Sequence, residues 1–138
     1  MKYKILDRED YAENLDFHFY IHKCEDTSGN IVYRLVAYPL NSSEEICLFE
    51  NYVFMTYTQV AQAAKEFLLN YIVEHLRAEV DFYNIENVKI EQLEDGIKIN
   101  NKVFEITTYY GANDYDALYE VTTNYIADIK SAGVCLNH

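Results

Sequence analysis

His18, His22 and Cys24 sit close together in the run FHFYIHKCE and are residue types that bind divalent metals. The run alternates, with Phe17, Phe19 and Ile21 against His18, Tyr20, His22 and Cys24, which is the pattern of a β-strand. Same-face neighbours on a strand lie about 6.6 Å apart, and His18 to His22 spans roughly 13 Å. Only His22 with Cys24 can share one ion, and no second pair of ligand types accompanies them; His75 and His138 are distant in the chain. The expectation is no metal and no cofactor. Nucleophilic chemistry needs a Cys or Ser held beside a base. Cys24, Cys47 and Cys135 stand neither in a Gly-flanked turn nor at a helix start, where a thiolate would be stabilised. Carboxylates are so numerous that any two could be paired as acid and base, so none is singled out. The sequence predicts no catalytic residues and a protein that is not an enzyme.

Its fourteen tyrosines, with no tryptophan, are the more distinctive chemistry. Tyr109, Tyr110, Tyr115 and Tyr119 cluster with Asp114, Asp116 and Glu120. A tyrosine offers a rigid ring with a polar tip, and a carboxylate beside it attracts Lys and Arg. Tyr109, Tyr110, Asp114, Asp116, Tyr119 and Glu120 are therefore the expected partner-binding set, while Tyr115 can equally join a buried stripe with Leu118 and Thr122. Eleven Lys and Arg against 23 Asp and Glu give a net charge of −12, which repels nucleic-acid phosphates and anionic membrane surfaces and attracts basic proteins. These features together predict a small acidic protein that binds and neutralises a basic, nucleic-acid-binding protein. An immunity protein, an antitoxin or a phage anti-defence inhibitor acts in this way, with nucleic-acid mimicry as one route. The alternative is a small-ligand-binding or enzymatic domain acting as a homodimer.

The best-specified element is Tyr57 to Arg77. Thr56 and Gln59 form a capping box, and Met55 and Val60 occupy the positions of a hydrophobic staple. Ala61, Ala64, Leu68, Tyr71 and His75 recur at helical spacing, widened by Val60, Phe67, Ile72 and Leu76. Leu69 and Val73 fall on the opposite side and form a dimer seam unless the chain itself covers them. A second helix is predicted over Asp114 to Lys130, capped by Asn113 and ended before Gly133.

Strands are predicted at the N-terminus, Phe17 to Cys24, Ile31 to Tyr38 and Ile46 to Phe49, with EDTSGN as the hairpin turn between the second and third. The acid-rich segment Asp7 to Asp16 reads as a short surface helix or turn. A second meander follows the helix: Val88 to Leu93, Gly96 to Ile99 and Lys102 to Tyr110. The expected fold is one α+β domain over residues 1–138, an antiparallel sheet of five to six strands with two main helices on one face. A βββα-βββα pseudo-repeat is visible in it, with Asn70-Tyr71-Ile72 matching Asn124-Tyr125-Ile126. Three irregularly spaced cysteines and no apolar leader in MKYKILDRED predict a reduced, cytoplasmic protein.

The meander leading into an Ala-rich helix, Ile31 to Ile72, resembles antitoxins of the HicB type, small acidic partners of basic RNA-cleaving toxins. It departs from them in having no Gly-containing turn after Pro39 and no separate DNA-binding segment. The resemblance implies partner binding without catalysis.

Overall fold

A computed structural model describes residues 3–14, 16–42, 44, 46–48, 53–106 and 115–136. The chain forms two compact units, Met1–Glu66 and Phe67–His138. The class is α+β. The single sheet expected is replaced, among the described residues, by two antiparallel sheets of four and three strands. The first unit carries all four strands expected before the first helix, one more than the repeat order βββα.

In the first unit β1 (Lys4–Glu13), β2 (Phe17–Glu25), β3 (Ile31–Pro39) and β4 (Ile46–Leu48) pair in sequence order. The acid-rich segment is thus mostly strand, not helix or turn. Its alternation was obscured because β1 carries two register shifts against β2, between Ile5 and Asp7 and between Asp10 and Ala12. Each adds a residue to the edge strand and shifts its side-chain phase. The turn into β2 is set by Asn14, whose Oδ1 accepts from the Asp16 and Phe17 N–H groups at 3.0 and 2.9 Å. The β2–β3 hairpin keeps unbroken register from Phe17↔Pro39 to Glu25↔Ile31. Its turn is closed by Asp26 Oδ1, which accepts from Ser28 and Asn30 N–H, both at 2.9 Å, and by Gly29 at φ 85°. A side chain is rarely tolerated at that φ, hence the glycine.

Phe19, Ile21, Leu35 and Ala37 are buried on one face of this sheet, and His22, Cys24, Val32 and Val36 on the other. The first face packs on the start of helix α1 (Tyr57–Phe82), where Ile21, Leu35, Phe54, Val60 and Ala64 make one cluster. The capping box forms in altered form. Gln59 N–H donates to Thr56 Oγ1 at 3.2 Å, but the Gln59 side chain accepts from Met55 N–H at 3.1 Å, not from Thr56. The predicted staple is not made, because Met55 is 60% exposed. Phe54 packs with Val60 instead, pinned by two backbone bonds to Tyr33 of 2.8 and 3.0 Å.

Helix α1 runs five residues past the predicted Arg77. It closes in a Schellman motif, with Ile85 N–H donating to Val80 C=O at 3.0 Å and Asn84 N–H to Asp81 C=O at 3.3 Å. Asn84 at φ 51° supplies the left-handed residue such a cap needs. In the second unit β5 (Ile90–Gln92), β6 (Gly96–Ile99) and β7 (Lys102–Glu105) form the meander. Gly96 serves close approach: a Cβ there would collide with the Phe104 carbonyl oxygen. The later turns of α1 tie to this sheet through Asn70 Nδ2 donating to Gln92 Oε1 (3.2 Å) and Arg77 Nη2 donating to Ile90 C=O (3.0 Å).

Helix α2 (Tyr115–Leu136) runs through Gly133, which the sequence placed beyond its end; Asn113 and Asp114 lie outside the described residues. Tyr115, Leu118, Thr122 and Ile126 are its buried stripe. Leu69 and Val73, the expected dimer seam unless covered, are covered: they are 0% and 1% exposed within the chain itself. No helix among the described residues is long and apolar enough to cross a membrane.

Candidate functional site

The structure brings acids and tyrosines together at a place the sequence did not single out, the edge strand β1. Pairing Asp7↔Lys23 and Glu9↔Ile21 puts Asp7 and Glu9 on the sheet face of Ile21, Lys23 and Tyr33. Tyr57, the first residue of α1, closes the group. Asp7, Glu9, Ile21, Lys23, Tyr33 and Tyr57 line a recess of about 260 Å³. The Tyr33 and Tyr57 rings meet edge to face with centroids 6.1 Å apart, a geometry that favours the pair beyond burial alone.

Electrostatics of the recess are acidic. Tyr57 donates to the Glu9 carboxylate, and its hydroxyl is pushed up to about 12, first by burial and then by that bond and the Glu9 charge. The phenol therefore stays neutral at neutral pH and keeps its proton to donate. Asp7 and Glu9 stand about 6.6 Å apart along the strand, with Lys23 the one cation among the lining residues. Such a site takes a cationic side chain between carboxylates and ring faces. Tyr11 steadies the strand against the helix, its hydroxyl donating to Ala61 C=O at 3.4 Å.

Of the sequence-predicted set, Tyr109, Tyr110 and Asp114 lie outside the described residues. Asp116 and Glu120 are exposed one turn apart on α2, and the half-buried Tyr119 lies with its ring 6.1 Å from His75. Tyr115 belongs to the buried stripe. The metal candidates divide: His22 and Cys24 are fully buried, while His18 is partly exposed with Nε2 2.9 Å from Asp10 Oδ1. No three His, Cys, Asp or Glu side chains gather as a metal site among the described residues.

The missed residues are Asp7, Glu9, Tyr33 and Tyr57. The acid run was visible in the sequence, but it was not read as a strand, and the sheet face that Asp7 and Glu9 join is set by their pairing with Lys23 and Ile21. Arrival of Tyr57 depends on the Tyr33–Phe54 bridge that aims α1. No protein-family model, curated protein or solved structure matches the chain, so the HicB-type resemblance is carried no further and function rests on this geometry.

Proposed function

We propose that this is a non-enzymatic acidic binding protein that captures and neutralises a basic, nucleic-acid-binding protein, with the β1 edge as a principal contact surface. The observation that carries this reading is the convergence of Asp7 and Glu9 with Tyr33 and Tyr57 on an exposed edge strand of a chain with net charge −12. Carboxylates attract Lys and Arg over a distance and speed encounter, while the rings supply rigid contact area. The edge itself is unsuited to adding a foreign strand, because it is charged and twice bulged, both of which oppose strand pairing. Recognition is by side chains. In the second unit, Asp116 and Glu120 on α2 offer an exposed acidic pair of their own.

The test is capture from cell extract with the wild-type chain and an Asp7→Asn/Glu9→Gln variant. The reading expects a basic protein held by the wild type, released by salt, lost with the variant, and unable to bind nucleic acid while complexed. A partner that is retained equally by the variant, or that keeps its nucleic-acid binding in the complex, overturns it.

A further inference from the structure

The opposite face of the same strands carries a second recess of different chemistry. Arg8, paired with His22, and His18, paired with Tyr38, belong to the face turned away from Asp7 and Glu9. With Tyr20, Pro39, Leu40 and Ser42 they line a cavity of about 420 Å³, within the range of small-molecule sites. We propose that this cavity binds a small organic anion, a flat ring bearing one carboxylate or phosphate.

The ring-binding wall is already assembled. His18 stacks on Tyr20 with centroids 5.0 Å apart, and Tyr20 meets Tyr38 edge to face at 5.5 Å. His18 is held in place because its Nε2 is 2.9 Å from Asp10 Oδ1, with Glu13 at 3.9 Å from Nδ1. The loop wall is held as well: Leu40 N–H donates to Asp16 C=O at 3.0 Å and Ser42 N–H to Pro39 C=O at 3.1 Å. A site formed before its ligand arrives loses little affinity to ordering.

The anion's partner is Arg8. Among the described residues Arg8 forms no ion pair, although the chain carries 23 acids. Ser42 Oγ accepts from Glu44 N–H at 3.0 Å, which leaves its hydroxyl hydrogen to donate. Asp10, two residues further along the same face, is engaged by His18. A guanidinium and a hydroxyl donor beside a wall of rings select a negative group on a planar body and reject a cation.

Amide chemical shifts of the full chain, followed by NMR, test this with salicylate and AMP as the two anionic probes and salicylamide and inorganic phosphate as controls. Saturable shifts confined to His18, Tyr20, Tyr38 and Ser42 are expected with at least one anionic probe, and the probe that saturates tells a carboxylate source from a phosphate one. Arg8→Gln should weaken that probe about tenfold or more, with the remaining spectrum unchanged, whereas Asp7→Asn/Glu9→Gln should not. No saturation with either probe, equal binding of salicylamide, or affinity indifferent to Arg8→Gln overturns the proposal.

Discussion

Asp26 and Tyr57 show how single side chains report on the fold through their protons. The Asp26 carboxyl is held below its usual 3.8, chiefly by the Asn30 N–H, against a smaller opposing effect of burial. A depressed carboxylate favours the folded state above its unfolded pKa, and that contribution is lost as pH falls through the folded value. Asp26→Asn should therefore narrow the stability difference between neutral pH and pH below 3.8, measured by urea titration at each pH; a variant with the wild-type acid profile contradicts this role. Tyr57 works in the other direction. Its neutral form is favoured, so its contribution is complete below 10.0 and fades as pH rises towards about 12. Glu9→Gln should bring the Tyr57 titration part of the way back, leaving the shift due to burial. The difference in tyrosinate absorbance against Tyr57→Phe reads it, and an unmoved titration would remove Glu9 from contact with the ring hydroxyl.

At the scale of elements, helix α1 has two ends of different legibility. Its start could be read because Thr56 and Gln59 make a local signal, and the hydroxyl bond is found. Thr56→Ala should cost about 1 kcal/mol, seen as a lower urea midpoint at unchanged slope. Its end was misread because Asn84, not glycine, supplies the left-handed cap. Asn84→Gly should be neutral or stabilising and Asn84→Val destabilising by about 1–2 kcal/mol, so equal effects would remove the cap from the account. Phe54 displaced Met55 from the expected staple because strand pairing with Tyr33, a contact distant in sequence, outweighs nearest-neighbour packing. Leu69 and Val73 follow the same lesson: helical periodicity shows a wide apolar surface but not what covers it. Leu69→Ala should destabilise by about 2–5 kcal/mol, with a midpoint independent of protein concentration. A concentration-dependent midpoint would instead restore the seam between copies.

For the whole molecule, class and charge were legible in composition and alternation, whereas the division into two sheets was not. Alternation reports local strands, whereas which strands pair is set by contacts distant in sequence, here β1-β2-β3-β4 in one sheet and β5-β6-β7 in the other. The acids of residues 7–16 were likewise visible as a run. Strand alternation separates Asp7 and Glu9 from Arg8 and Asp10, but which face of the sheet each pair joins follows only from the paired register of β1 and β2. That separation gives one strand two chemistries, and the acidic one carries the proposed capture of a basic protein. The most direct test is the dissociation constant of the captured complex as salt rises from about 50 to about 300 mM, a range over which screening shortens more than twofold. Wild-type affinity should fall more than about tenfold, and Asp7→Asn/Glu9→Gln should bind more weakly from the outset with a shallower salt dependence. Affinity indifferent both to salt and to removal of those two charges would contradict the account.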